Sequence, residues 1–245
     1  DDLDPVLTTN LPDDLTNPPN GGGRKVKFNE MANRTVVFEA LLNPHMSERQ
    51  IARLLRNRVF VGYSLIGGAA LAGIFSFITG APFLFIEDLG FSAVGYGAVQ
   101  GGLALCYVLG VVLNGLVSAH VSPRRILMIG MLLTIAGLAL LWTVLAASTP
   151  PVTRLIGAVA LSTLGLGLQM SNAWYLTFEH IDRPDFAIAG TISGVLEWSL
   201  VAAMSALVVL GHAAPLWGLA AILTTCALII ATCFALTRPQ RSVPA

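Results

Sequence analysis

From Ala93 to Ala119 the chain carries no formal charge. A helix of that length crosses about 30 Å of hydrocarbon with some tilt. A helix in water needs a polar face, and this run offers little beyond Gln100, Asn114 and small residues. Glycines at 97, 101, 102, 110 and 115 would be costly in an isolated, water-exposed helix. In a bilayer they let neighbouring backbones approach closely. The stretch therefore predicts a packed helix of a membrane bundle, with the other apolar runs as its neighbours.

Charge supports that reading. Charged residues make up 11% of the chain, against about 25% in ordinary soluble domains, and hydrophobic residues 55%. This is the composition of an integral membrane protein, with the lipid bilayer as its surroundings. A formal net charge of zero argues against a nucleic-acid partner, which would call for a basic face. Cys106, Cys226 and Cys233 all fall inside apolar runs and read as small buried hydrophobes rather than a disulfide framework or a metal site. The chain opens on Asp with no signal peptide ahead of the apolar region, so a processed or partial product is expected.

Six apolar spans are predicted at about 59–86, 93–119, 124–147, 153–178, 187–211 and 214–236. The fold class is thus an all-α membrane protein. Residues 1–58 read as a cytoplasmic linker: an aspartate-rich tail, a Pro/Gly-rich stretch, and a short helix opened by the capping-box spacing Ser47-Glu48-Arg49-Gln50. Ile51, Leu54 and Leu55 would form one face of that helix, which suits a membrane surface or a solvated lead-in to the first span. Residues 59–237 form the transmembrane domain and 238–245 a cytoplasmic tail. An even number of crossings puts both termini on one side. Arg53, Arg56, Arg58, Arg124, Arg125, Arg183, Arg238 and Arg241 fall on that side and Arg154 on the other, which makes it cytoplasmic.

Within the spans, Gly80-Ala81-Pro82 should kink or unwind the first, because proline removes a backbone donor; Gly80 and Pro82 are candidate gating residues. Spans two and five share the similar strings Gly97-Ala98-Val99-Gln100 and Gly194-Val195-Leu196-Glu197, as two inverted three-helix repeats would. Glu197 is the acid well inside a span, about 15 Å from its start. A carboxylate there costs at least about 2.5 kcal/mol, so it should face a cavity, find a hydrogen-bond partner or sit protonated. Gln169, Ser171 and Asn172 make a polar step in span four, followed by Trp174 and Tyr175; Gln100, Tyr107 and Asn114 fall on one side of span two. Amides beside aromatics suit either a mixed-polarity pocket or interhelical hydrogen bonds. The candidate substrate- and proton-binding set is Glu197, Gln100, Gln169, Asn172, Trp198 and Tyr107. Glu179 to Asp185 reads as a solvated loop rather than a metal cluster, and His120, Arg124 and Arg125 as interfacial anchors. No nucleophile elbow, Walker loop or His-Glu-x-x-His pair is present, so an enzyme is not expected.

Several stretches together resemble a known family. They are Arg58-Val59-Phe60-Val61-Gly62-Tyr63, Gly73 to Phe83 with its Gly80-Ala81-Pro82-Phe83 end, Leu113-Asn114, Asn172, and Ala189-Gly190-Thr191-Ile192-Ser193-Gly194. The chain resembles the C-terminal half of a major facilitator superfamily transporter, more narrowly the Bcr/CflA (bicyclomycin-resistance) group of drug:proton antiporters. The resemblance covers roughly residues 50 to 237. It implies half of that fold, an inner-membrane location, and drug efflux driven by a proton gradient with no cofactor. The partner would be an N-terminal six-helix half, from the same gene or a second copy. Two departures stand out: Gly115 to His120 lacks the aspartate of the family's Gly-x-x-x-Asp-Arg loop, and Glu197 stands where relatives more often carry an amide. A carboxyl there points to a shifted substrate range, towards cations, or to an added protonation site. A non-transporting six-helix scaffold, or a decayed half-transporter, is the alternative.

Overall fold

A computed structural model describes residues 44–146, 152–179, 181–210 and 215–237. The acidic tail, the connectors around Pro150 and His212, and the 238–245 tail with Arg238 and Arg241 lie outside the described residues. Those described form α1 (Pro44–Arg56), α2 (Arg58–Pro82), α3 (Ala93–Val117), α4 (Pro123–Leu145), α5 (Val152–Phe178), α6 (Phe186–Leu210) and α7 (Pro215–Leu236), with no strand among them. Helices α2 to α7 are each long and apolar enough to cross a membrane.

Local chemistry sets the helix starts. The Asn57 side chain accepts hydrogen bonds from the backbone N–H groups of Val59 and Phe60 at 3.0 and 3.3 Å, satisfying donors that have no partner within α2. Ser92 does the same for Gly95 at the head of α3, at 3.1 Å. Pro123 opens α4 at a position where a missing N–H costs nothing. The linker helix starts at Pro44, ahead of the predicted Ser47 box, for the same reason. Of its expected apolar face only Leu54 is buried, against Phe60 and Ala189, whereas Leu55 is exposed.

The helix is locally underwound just after Pro82 but not interrupted. The chain continues from it as a π-helix over Phe83–Asp88, where the Leu89 N–H reaches back to the Leu84 carbonyl at 3.0 Å. A wider turn is one way of absorbing a lost donor.

Helix α2 is the hub. Ile66, Ala69, Ala70 and Ala72 are fully buried, and α2 packs on α5, α6 and α7. The other principal pairings are α4 with α5, α3 with α5 and α4 with α7. Exchanging α2 with α5, α3 with α6 and α4 with α7 returns the same six pairings. Phe60 at the start of α2, Phe178 at the end of α5 and Ala189 at the start of α6 share one cluster, so α2 and α5 run in opposite directions. Two inverted three-helix repeats produce this arrangement.

The α4–α5 seam is a close one. A Cβ on Gly130 would stand 2.7 Å from the Gly165 carbonyl oxygen, and one on Gly165 2.6 Å from that of Gly130. In the uncharged run from Ala93 to Ala119, only Gly110 meets a facing helix, with Gly167 Cα 3.1 Å from where its Cβ would be. Gly97, Gly101, Gly102 and Gly115 meet nothing within 4 Å. The expectation of a helix packed along its glycines is corrected: α3 stands at the edge of the bundle, with only Leu103 and Gly110 buried.

Two further expectations change at the arginine-bearing end. Arg124 is no simple interfacial anchor. Its guanidinium donates to the Tyr63 hydroxyl and the Phe234 and Thr237 carbonyls, and lies 4.3 Å above the Phe234 ring centroid. It thereby satisfies carbonyls at the end of α7 that have no helical partner. Asp185 is not solvated: it is 4% exposed, paired with Arg53 and accepting from Gln50 Nε2 at 3.0 Å.

Candidate functional site

Helices α5 and α6 are joined at the arginine-bearing end, where the Phe178 and Phe186 rings lie 6.0 Å apart. Between them lies an open recess of about 610 Å³. Trp174, Tyr175 and Phe178 line it from α5, and Phe186, Ser193 and Glu197 from α6. A small residue at every approach on α6 (Gly190, Ser193, Gly194) keeps that wall low.

Glu197 forms the floor, at the middle of α6, and is 6% exposed. The Ser193 hydroxyl, one turn earlier, donates to its Oε1 at 2.8 Å. The Trp174 indole N–H, from α5, donates to its Oε2 at 3.3 Å. Its main chain rests on α2, where a Cβ on Gly68 would stand 3.0 Å from the Glu197 Cα. Gly67 leaves room for the carboxyl itself, with Oε1 3.3 Å from where a Cβ would be. Three helices therefore meet at one acid, and both of these hydrogen bonds come from neutral donors. An acid so held can accept a proton or meet a cation entering the aromatic recess.

The other sequence-chosen residues do not gather here. Gln169 is fully buried in the α4–α5 seam and donates to Thr134 Oγ1 at 2.7 Å. Asn172 joins α5 to α3, donating to Asn114 Oδ1 at 2.6 Å and to the Leu168 carbonyl at 2.7 Å. Both make the interhelical hydrogen bonds weighed as one reading of the polar step. Trp198 is 56% exposed and stacks edge-on against Phe75 with centroids 5.4 Å apart, away from its neighbour's carboxyl. Adjacent helical residues point about 100° apart, which accounts for this. Gln100 and Tyr107 line a different cavity. Gly80 lies beside α6 and α7, with Val208 Cγ1 2.9 Å from where its Cβ would be, and Pro82 leads into the π-helical turn.

Sequence reasoning did not select Ser193, Phe178 or Phe186. Ser193 carried a usable signal, a hydroxyl four residues before a buried acid on the same helix face.

This architecture agrees with comparison against known proteins. The model of the Major Facilitator Superfamily matches residues 9–207, and the chain belongs to that family. It is 23% identical over 133 residues to a Bacillus subtilis (strain 168) protein described as an uncharacterized MFS-type transporter, YdgK. That match takes in 54% of this chain and 33% of the relative, so the chain spans only part of the length of the protein it matches. No solved structure matches it.

Proposed function

We propose that the chain is one half of a secondary active transporter that exports small amphipathic compounds, cations among them, in exchange for protons. The observation that carries this reading is Glu197: a mid-helix acid, nine-tenths buried, held by Ser193 and Trp174 at the floor of an aromatic recess. Aromatic faces attract organic cations, and the acid supplies the counter-charge. One carboxyl cannot hold a proton and an ion-paired cation together, so occupancy by one displaces the other. That competition is the exchange.

The second wall of the pathway is another six-helix half, and the membrane is the cell inner membrane with the arginine-rich end in the cytoplasm. The π-helical turn after Pro82 lies at the opposite end of α2, where an outer gate would act. Inverted membrane vesicles containing the protein test the proposal. A lipophilic fluorescent cation should accumulate when a pH gradient is imposed, and the accumulation should collapse with Glu197→Gln. Accumulation indifferent to the gradient would refute proton exchange; accumulation unchanged by the substitution would remove Glu197 from the pathway.

A further inference from the structure

Gln100 and Tyr107 do not join Glu197 but share a cavity of about 350 Å³ enclosed by α2, α3 and α5, with one residue each from α4 and α7. We propose that this cavity is a second binding site, for an uncharged apolar molecule carrying a hydrogen-bond donor, such as a phenol.

Three observations converge on that ligand. First, no Asp, Glu, Lys, Arg or His lines the cavity, whose walls are side chains such as Phe77, Leu103, Leu141 and Leu223. A charged molecule would shed its hydration there without gaining a counter-ion. Second, apart from the Tyr107 phenol, the two hydroxyls on the wall are already engaged. Ser162 donates to the Ala158 carbonyl at 3.1 Å and Thr163 to the Val159 carbonyl at 2.7 Å. Third, the Gln100 carbonyl oxygen is buried without a partner among the described residues. Gln100 is part of the cavity wall, so its amide is a polar group that a ligand there would meet. A ligand donor would satisfy it, and a pure hydrocarbon would leave it orphaned. The volume lies at the small end of the range for ligand pockets.

The recess at Glu197 has the opposite character, being wide, open and acidic at its floor. It extends from mid-membrane towards the arginine-bearing end, whereas Phe77 places the apolar cavity just before the Gly80–Pro82 segment. The two sites therefore sort molecules by charge. This inference concerns equilibrium binding without a gradient, so its failure is distinct from failure of the transport proposal.

Photolabelling in lipid nanodiscs tests it, with a diazirine-bearing alkylphenol and its methyl ether as probes. Saturable labelling is expected on the α3 segment around Gln100 to Val108, competed by unlabelled phenol. The ether should bind about three- to tenfold more weakly, the worth of a hydrogen bond. Gln100→Leu should erase that difference, and Ala104→Phe, which fills the cavity, should abolish saturable labelling. Leu228→Phe, on an exposed face of α7, should retain it. Should Ala104→Phe fail to fold, the phenol-to-ether ratio in Gln100→Leu decides. Unsaturable labelling spread over exposed faces, saturable labelling confined to Trp174–Phe178, or equal affinity for phenol and ether would each overturn the assignment.

Discussion

Ser193 and Glu197 are joined within one turn of α6, the hydroxyl donating to the carboxyl Oε1 at 2.8 Å. The Trp174 indole takes the other oxygen at 3.3 Å, so the acid is held from both sides and cannot swing freely. Its position, rather than its mere presence, is what the fold supplies.

Glu197→Gln preserves the shape but removes the titrating group, and its NH2 takes the place of one of the two oxygens that accept from Ser193 and Trp174. Cation transport should fall about tenfold or more, and what remains should lose its pH dependence. Ser193→Ala removes one hydrogen bond and should weaken cation binding by about 1 kcal/mol, leaving the pH dependence in place. Transport assayed across a pH series in vesicles separates the two; a flat profile in Ser193→Ala would contradict this division of roles.

The α4–α5 seam tolerates no added methyl group. Gly130→Ala should lower stability by about 1–3 kcal/mol, because the new Cβ would lie 2.7 Å from main-chain oxygen and 2.8 Å from the Gln169 Cγ. Gly157→Ala, on the same seam helix α5 but with nothing within 4 Å, should be neutral or slightly stabilising. Thermal unfolding in detergent ranks the pair; equal midpoints would count against the close approach.

Arg53 reaches a buried carboxylate from an exposed position, its side chain 62% and that of Asp185 6% accessible. Arg53→Ala strands that charge and should cost about 1–3 kcal/mol, less than for a fully buried pair because water reaches the guanidinium. Arg56→Ala, on an exposed residue of the same helix, should fall within about 0.5 kcal/mol of the parent. Denaturation midpoints test the contrast, and rescue by the exchanged pair Arg53→Asp with Asp185→Arg would establish that charge pairing is responsible.

Sidedness can be read with single cysteines in a background lacking Cys106, Cys226 and Cys233. Cysteines at His120 and Asp182 should react with an impermeant thiol reagent from one face, and cysteines at Glu87 and Asp88 from the other. The six crossings require that alternation, and labelling of His120 and Glu87 from the same face would break it.

The sequence made the six spans legible because charge is so costly in hydrocarbon that its absence over such lengths marks them. The inverted repeat showed only as a faint likeness between the Gly97 and Gly194 strings, yet the pairing of helices obeys it. The candidate site was legible at Glu197 only as a lone acid in an apolar helix, whose burial must be accounted for. It was not legible at Gln169 and Asn172, since an amide that lines a cavity and one that bridges two helices have the same composition. Asp185 was misread for a related reason: charge in a connector suggests water until a partner from a distant segment, here Arg53, is seen. The glycines of α3 misled because small residues permit close packing without requiring it.

The turn beyond Pro82 holds more chain than an ordinary helix would use for the same height. Were Phe83–Asp88 to tighten into regular α geometry, the surplus residue would pass along the axis. Everything after it would then rotate by about 100°. Phe85, now fully enclosed and edge-on to Phe91 at 5.6 Å, would swing out of its socket. Such a change would turn the chain at this end of α2 without pulling the helix apart.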